Sequence, residues 1–298
     1  MENKEIICKI CNNSIKSLRF QRVRDINFKM TTRLYDWFSC ENCGILQITA
    51  NDDFKEDLSE YYKKYDPHSH GVKLVSRFSI SPISLIQKKL KLSMNSSENF
   101  SVLDVGCGDG NLLFNIRSSF PNSVLSGIDF NIESAKYNLR NCDVTLWELS
   151  LIDFSQSEKF DFICCSQLLE HLDDPSDLFN LIKRNLNKDG LACIDIPNIN
   201  SRSFKIFGSN WIHLDTPRHR ILFSPKSLKS ILIKNGFDVL EIKTFGTGFA
   251  YLSSFLNFLN VRFGFNLKLP FKIKWVLSKI IQIIIKSDDK IFVSFKLK

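Results

Sequence analysis

The sequence predicts an α/β fold with a doubly wound, mostly parallel sheet, preceded by a small module that a bound metal ion stabilises. Two observations predict the sheet: short buried β-like runs alternate with helical periodicity between about residues 51 and 248, and a glycine-rich turn closes the first clear strand. Two Cys-x-x-Cys pairs within the first 50 residues predict the module. Disordered, collagen-like and coiled-coil classes are excluded, because 44% of the 298 residues are hydrophobic and 24% are charged.

The N-terminal module, residues 1–50, contains the pairs Cys8/Cys11 and Cys40/Cys43, with 28 residues between the pairs. Each pair can aim two thiolates at one tetrahedral Zn²⁺, and four thiolates leave no position for water. We therefore expect a structural zinc ribbon, with four unrelated buried cysteines as the alternative. The remaining cysteines lie in apolar stretches typical of reduced thiols, and the N-terminus has no secretory signal, so we expect a cytoplasmic protein.

Residues 51–97 are expected to form a helical connector, and residues 98–248 the main α/β domain. The helices expected in this domain are Asn111–Ser119 and Pro225–Asn235. The expected strands are Ser101–Val105, Val124–Asp129, Phe160–Cys165, Leu191–Ile196 and Asp238–Lys243. Sheets of this kind bind ligands at the carboxyl ends of their strands.

The glycine-rich turn after the first strand predicts a cofactor site. Gly106, Gly108 and Gly110 let a ligand approach the backbone at a helix N-terminus, although Asn111 stands where a dinucleotide fingerprint has its third glycine. Asp129 lies nineteen residues beyond Gly110 and ends the second strand, where a carboxylate can accept both hydroxyls of a ribose. A ribose-containing cofactor is expected.

An ordered set of motifs resembles class I S-adenosylmethionine-dependent methyltransferases, whose sheets are Rossmann-like. The motifs are Val102–Gly110, Gly127–Asp129, Phe160–Ile163, Leu168–Leu172, Leu186–Gly190 and Pro197–Asn198. Cys40–Gly44 and Leu58–Tyr62 also resemble methyltransferases with a small zinc domain, many of which act on sugars or in surface-glycan pathways.

The resemblance implies S-adenosylmethionine as the cofactor. The residues implied to contact it are Asp104, Gly106, Gly108, Gly110, Asp129 and Glu148. Asp129 would hold the ribose, and Asp104 the methionine amino group, directly or through water. Glu148 lies near the family's adenine-contacting acid, although Leu146–Leu149 departs from the usual Gly-Asp pair.

Four side chains are candidate acid–base groups: Glu170, His171, His213 and His219. Methyl transfer is an in-line displacement, so a base is needed only if the acceptor must lose a proton. In some quinone O-methyltransferases the Glu-His pair that corresponds to Glu170 and His171 is linked to metal or acceptor chemistry. The alternative is a helix turn in which the two residues make only local hydrogen bonds.

The acceptor loop, residues Trp211–Ser224, resembles the family's acceptor-side segment. It contains His213 and His219, a tryptophan that could stack on a sugar or aromatic ring, and Arg218, which could pair with a phosphate. The alternative is a loop packed by a buried Trp211 with solvated basic residues.

The C-terminal region, residues 249–298, is basic and rich in phenylalanine. It holds nine Lys/Arg and two Asp/Glu, which leaves the first 248 residues with a net charge of only +1 out of the total +8. An amphipathic helix is expected over Lys272–Lys286, followed by a strand over Ile291–Leu297. We expect its apolar face to pack on the sheet. The alternative is a peripheral contact with an anionic bilayer at the inner membrane face.

These observations favour methyl transfer to a sugar or glycan precursor, a small-molecule, glycan-linked or lipid-linked acceptor, in surface polysaccharide biosynthesis. O-methylation of a quinone or lipid-like aromatic is the first alternative. A zinc-ribbon RNA methyltransferase is less favoured, and no nucleic-acid partner is expected, because the catalytic region is nearly neutral and Cys164–Gln167 lacks the tetrapeptide of many nucleobase amino methyltransferases. A nicotinamide oxidoreductase is disfavoured by Asn111.

Overall fold

A computed structural model of the chain describes residues 6–50, 82–93, 99–265, 267 and 269–298. Most of the expected connector, including Leu58–Tyr62, lies outside the described residues. The described helices are α1 (Pro82–Ser93), α2 (Asn111–Ser119), α3 (Glu133–Asn138), α4 (Ser176–Asn185), α5 (Arg202–Phe207), α6 (Pro225–Lys234), α7 (Phe249–Phe263) and α8 (Phe271–Ile285).

The described strands form one large and two small sheets. They are β1 (Ile6–Ile7), β2 (Ser14–Ile15), β3 (Ser17–Val23), β4 (Tyr35–Ser39), β5 (Leu46–Ala50), β6 (Ser101–Val105), β7 (Val124–Asp129), β8 (Val144–Glu148), β9 (Phe160–Ser166), β10 (Leu186–Pro197), β11 (Ile221–Leu222), β12 (Phe237–Phe245) and β13 (Lys290–Leu297). The large sheet has the order β12-β13-β10-β9-β6-β7-β8, in which β13 runs in the direction opposite to the other six strands.

Helices cover both faces of the large sheet, which confirms the doubly wound α/β prediction. Apolar side chains of α1, α2 and α3 pack on one face, and those of α4 and α6 pack on the other. Strands β6 and β9, and β10 from Leu191 onward, are therefore mostly apolar and buried, as strands covered on two faces are. Their carboxyl ends meet at one edge of the sheet, where ligands are expected.

The N-terminal strands β3, β4 and β5 pair in an antiparallel sheet that also receives β11 from the acceptor loop. The fully buried Trp37 anchors this sheet, because its indole Nε1 donates a hydrogen bond of 2.9 Å to Thr216 Oγ1. The N-terminal module is thereby fixed directly to the acceptor loop, a junction for which the sequence gives no signal.

The far end of the acceptor loop is held by the first turn of α6. Ser224 accepts a hydrogen bond from the backbone N–H of Ser227, and the Ser227 hydroxyl accepts one from the backbone N–H of Ser224. Pro225 follows at the first helical position. This reciprocal capping satisfies two donors that would otherwise be unpaired at the helix start.

Helices α7 and α8 form a hairpin between the edge strand β12 and its neighbour β13. The expectation that the apolar face of α8 packs on the sheet is wrong, because most of that face is exposed. Helical periodicity establishes that such a face exists, but not which surface receives it. Among the helices in the described part of the chain, none combines the length and the apolar character needed to cross a bilayer.

Candidate active site

The glycine-rich turn follows β6 and folds back onto β7. Gly106, Gly108 and Gly110 all have positive φ angles, of 77°, 52° and 74°. A Cβ atom added at Gly110 would lie 2.6 Å from Leu139 Cδ1, whereas one at Gly108 would meet no atom within 4 Å. The turn therefore needs glycine for its conformation, and it presents open space beside Gly108.

Two acidic residues end neighbouring strands beside this turn. Asp129, at the end of β7, accepts a hydrogen bond of 2.8 Å from the backbone N–H of Gly108, and burial raises the pKa of its carboxyl group. Glu148, at the end of β8, is paired with Asp129 in the strand register. Its half-exposed carboxylate lies 3.9 Å from the Nζ atom of Lys136. Both carboxylates are thus at the edge where the glycine turn is open.

Asp104 lies inside β6, one strand from Asp129, and its side chain is fully buried. Burial raises the pKa of its carboxyl group to about 7, an effect opposed by a hydrogen bond from the Cys164 thiol and increased by repulsion from Asp129. A cation bound beside this carboxylate would stabilise its charged form.

Glu170 and His171 lie on a short 3₁₀ turn, Leu169–His171, just after β9. The Glu170 side chain is fully buried, and its carboxyl oxygens accept no hydrogen bond from any residue that the structure describes. Burial raises the pKa of this carboxyl group to about 8. His219 reaches the same point from the acceptor loop, with its Nε2 atom 3.9 Å from Glu170 Oε1.

The two imidazole rings pack edge to face, with centroids 4.6 Å apart. His171 Nδ1 lies 3.1 Å from the carbonyl oxygen of Arg218, and His219 Nδ1 lies 2.7 Å from that of His213. A carbonyl oxygen can only accept, so both Nδ1 atoms carry the proton and Nε2 is the basic nitrogen of each neutral ring. Burial lowers the pKa of both rings, that of His219 to about 3, so both are neutral near pH 7.

Glu170, His171 and His219 form a cluster. Each residue contributes one possible ligand atom, and these three atoms lie within 4.8 Å of one another. A carboxyl group of raised pKa beside two neutral imidazoles can accept, share or relay a proton. The same three donor atoms also suit a divalent cation.

Of the remaining predicted residues of the acceptor loop, Trp211 and Arg218 are buried and His213 is half-buried. Trp211 is 1% exposed, donates a hydrogen bond of 2.8 Å to Ser203 Oγ and packs against the His213 ring, an arrangement that favours a packing role. The carbonyl oxygen of His213 accepts a hydrogen bond from His219 Nδ1. Arg218 forms an ion pair with Asp215 and stacks over a phenylalanine ring of the N-terminal module at 3.9 Å.

Residues 75–242, more than half of the chain, match a family described as a methyltransferase domain. The chain belongs to this family. It is an S-adenosylmethionine-dependent methyltransferase, which confirms the enzyme class implied by the motifs.

Curated relatives of this methyltransferase include the ubiquinone biosynthesis O-methyltransferase of Rickettsia typhi. It is 21% identical over 198 residues, which cover 61% of this chain and 80% of the relative. The enzyme of the same description from Bartonella quintana is 25% identical over 181 residues, 53% of this chain and 71% of the relative.

Among solved structures, a putative sarcosine dimethylglycine methyltransferase from Galdieria sulphuraria superposes with a TM-score of 0.51 at 14% identity. The superposition covers 72% of this methyltransferase and 84% of that chain. At this identity the likeness shows the fold alone, and it agrees with the mostly parallel sheet described above.

Four cysteine thiols of the methyltransferase form a second cluster in the N-terminal module. The Sγ atoms of Cys8 and Cys43 are 3.5 Å apart, as are those of Cys11 and Cys40, and all four lie within 4.8 Å of one another. A tetrahedral zinc site with Zn–S bonds of about 2.3 Å needs sulfurs about 3.8 Å apart. The cluster is consistent with a zinc ribbon, because the four thiols already surround a space of the required size.

The two turns that carry these thiols have matching backbones. Cys8 O accepts a hydrogen bond from the N–H of Asn12, and Cys40 O accepts one from the N–H of Gly44. Asn12 and Gly44 both have positive φ angles, of 57° and 73°. Each Cys-x-x-Cys turn thus closes in the same way and points both of its sulfurs to one side.

Sequence reasoning missed two polar residues, one beside the acceptor loop and one near the carboxyl end of β10. Asn27 donates hydrogen bonds to the Ile212 carbonyl, at 2.7 Å, and to Asp215 Oδ1, at 2.9 Å. Near the end of β10, Asp195 is fully buried and accepts a hydrogen bond of 2.9 Å from Gln167. Asp195 could have been noticed as an acid within an apolar strand, but Asn27 lies in a part of the sequence without a motif.

Proposed function

We propose that this methyltransferase transfers the methyl group of S-adenosylmethionine to a hydroxyl oxygen of its acceptor, with His219 taking the hydroxyl proton. This proposal rests on the observation that the side chains of Glu170, His171 and His219 lie together just after β9. Two neutral imidazoles with basic Nε2 atoms lie beside a buried carboxyl group, and such groups can remove a proton from the acceptor. This favours an acceptor that loses a proton on methylation over one that has no proton to lose.

The residues around the glycine turn support the cofactor half of the proposal. The cofactor, when bound, supplies a methyl group on a positively charged sulfur. We propose that the space beside Gly108 admits it, that Asp129 binds its ribose hydroxyls and that Glu148 binds its adenine. Asp104 would hold the amino group, since a buried carboxyl group of raised pKa gains a compensating cation there.

In the transfer step the acceptor oxygen forms a bond to the methyl carbon as the carbon–sulfur bond breaks. The hydroxyl proton passes to His219 Nε2, and the sulfur leaves as a neutral thioether. Glu170 stabilises the protonated imidazole when its own carboxyl group is ionised. Because the pKa of Glu170 is about 8, turnover should rise as the pH increases from 7 to 9.

The acceptor that fits best is an aromatic hydroxyl of the quinol type. A phenolic hydroxyl has a pKa near 10 and is a far stronger acid than an aliphatic alcohol, so a neutral imidazole can remove its proton more readily. The named activity of the relatives from Rickettsia and Bartonella, O-methylation in ubiquinone biosynthesis, supports the same class.

A sugar or glycan precursor in surface polysaccharide biosynthesis is the second candidate. The observation that favours it is the N-terminal module, which lies outside residues 75–242 and nevertheless contacts the acceptor loop through Trp37 and Asn27. We propose that this module holds one structural Zn²⁺ through Cys8, Cys11, Cys40 and Cys43. The sequence resembles methyltransferases with a small zinc domain, many of which act on sugars.

The test is transfer of radiolabelled methyl groups from S-adenosylmethionine to a prenylated catechol and to a nucleotide-linked sugar. Methylation of the catechol alone supports the first candidate, and methylation of the sugar alone supports the second. Failure with both acceptors, in a preparation that binds S-adenosylhomocysteine, would overturn both candidates. Dialysis against a chelator, with and without added Mg²⁺ or Zn²⁺, determines whether a cation at Glu170, His171 and His219 also polarises the acceptor oxygen.

Substitutions then test the proposed base. His219→Gln should lower kcat by a factor of about 10² to 10⁴, while the affinity for S-adenosylhomocysteine stays within about threefold. Glu170→Gln should flatten the rise of turnover with pH. His70→Gln makes the same change at a histidine without an assigned role and should retain full turnover. Full turnover by His219→Gln would remove this residue from the mechanism.

A further inference from the structure

One face of α8 carries only apolar side chains and is turned away from the protein. Its members follow one another at helical spacing and are all exposed: Ile273, Val276, Leu277, Ile280, Ile283 and Ile284. Ile283 and Ile284 are 78% and 74% exposed. An amphipathic helix that packs on a core has the opposite orientation.

The inward face of α8 is held by small and polar groups. Ser278 is 5% exposed, and its carbonyl oxygen lies so close to Gly248 that a Cβ atom there would collide with it. Gln282 donates a hydrogen bond of 3.1 Å to the Gly246 carbonyl. Trp275 is half-buried on the same inward side. Because these contacts fix the rotation of α8, the apolar face has to point outward.

The exposed apolar area continues onto α7 and the turn that follows it. Its members there are Phe255, Val261, Phe263, Phe265 and Leu267. Together with the outward face of α8, these residues form what we call the hairpin surface. An exposed apolar surface of this extent is typical of a site for a partner or a membrane.

The charges around the hairpin surface identify the kind of partner. Residues 249–286 contain six Lys or Arg and no Asp or Glu. By helical spacing, Lys272 and Lys279 border the apolar face of α8 on one side and Lys274 borders it on the other. Such lysines can reach phosphate groups while the isoleucines enter the acyl region. We propose that the hairpin surface docks the methyltransferase on an anionic phospholipid bilayer.

This surface is connected to the acceptor loop. Ser254, on α7, accepts a hydrogen bond of 2.9 Å from the backbone N–H of Ile212, and Asn257 donates one of 3.1 Å to Asn27. A docked protein would therefore hold its acceptor loop beside the helix that contacts the bilayer. The docking itself rests on the hairpin surface, and only delivery of a lipid-like acceptor to the site rests on the proposed function.

The test is co-sedimentation of the full chain with phosphatidylcholine vesicles, with and without phosphatidylglycerol, at about 0.15 M salt. We expect at least tenfold tighter binding to the vesicles that contain phosphatidylglycerol. The double variant Ile283→Asp/Ile284→Asp should weaken that binding at least tenfold, because it places charges where the isoleucines would enter the acyl region. Lys272→Glu/Lys279→Glu should remove the preference for the anionic lipid.

Ile152→Asp is the matched control. Ile152 is 74% exposed but follows β8, at the opposite edge of the large sheet from the hairpin, so this variant should bind vesicles as the wild type does. Binding of S-adenosylhomocysteine within threefold of wild type shows that each variant is folded and separates this test from that of the proposed function. Equal vesicle binding by the wild type and the double variant would overturn the proposal. So would failure to bind vesicles together with a concentration-dependent dimer that the double variant abolishes.

Discussion

At the scale of single residues, burial controls the protonation of Asp104, the carboxyl group proposed to hold the amino group of the cofactor. It lies in a central strand beside Gly127 and Cys164, where water does not reach it. Burial raises the pKa of its carboxyl group to about 7, so the group is about half protonated at neutral pH. A positively charged ligand group can bind beside Asp104 only if the carboxyl group is already ionised or loses its proton on binding.

This gives the first prediction, that the affinity for S-adenosylhomocysteine depends on pH through Asp104. With a pKa of about 7, the ionised fraction of Asp104 falls about tenfold between pH 8 and pH 6, so the affinity should fall by about the same factor. Titration calorimetry at the two pH values measures it. Asp104→Asn should bind more weakly and without this pH dependence. Equal wild-type affinities at the two pH values would contradict the assignment.

At the scale of elements, Asn27 joins three parts of the chain that no local motif connects. It donates to Ile212 and Asp215 in the acceptor loop and accepts from Asn257 on α7. Asp215 in turn pairs with Arg218 and lies 3.7 Å from His219 Nε2. Through this chain of contacts the N-terminal module fixes the position of the proposed base.

The second prediction is that Asn27→Ala lowers turnover more than it lowers cofactor affinity. Loss of these hydrogen bonds should destabilise the fold by about 1 to 3 kcal/mol and loosen the acceptor loop, while the glycine turn is unaffected. Thermal unfolding, kcat and the affinity for S-adenosylhomocysteine are the measurements. Asn180→Ala, at an exposed asparagine on α4, is the control and should match wild type. Wild-type turnover by Asn27→Ala would show that the junction does not position the base.

At the scale of the whole molecule, the N-terminal module that carries the two cysteine turns packs directly against the acceptor loop. The module is small, and its sheet is completed by β11 from the acceptor loop. A domain of about 50 residues buries too little apolar surface to be stable without a metal or a larger partner. Here the acceptor loop is the larger partner, because Trp37 and Asn27 attach the module to it, and the proposed Zn²⁺ would stabilise the module further.

The third prediction concerns loss of the metal. Cys40→Ser should lose the bound zinc, about one ion per chain in the wild type, and should lower both Tm and turnover. Binding of S-adenosylhomocysteine should stay within threefold, since the cofactor edge of the large sheet is formed by other strands. Cys142→Ser, at a half-buried cysteine outside the cluster, should retain the metal. Elemental analysis that finds no zinc in the wild type would contradict the zinc proposal.

Much of the large sheet could be predicted from local patterns. The bounds of β6, β7 and α2 agree with the predicted ones, because each is delimited by glycine, proline or a change of periodicity. The start of β10 was predicted too late: it begins at Leu186 rather than Leu191, and its pairing shifts register in the polar stretch between them. A bulged, polar strand segment resembles a loop when only its sequence is considered.

The glycine turn and the two cysteine pairs could be located from sequence alone, because the residues of each turn are close together along the chain and their spacing reflects the geometry of single turns. Only the tertiary structure decided that His219 meets Glu170, that Asn27 reaches Asp215 across 188 residues, and that the apolar face of α8 points outward. These are contacts between distant segments. They depend on how whole elements pack, and a periodic pattern within one element does not specify its partner.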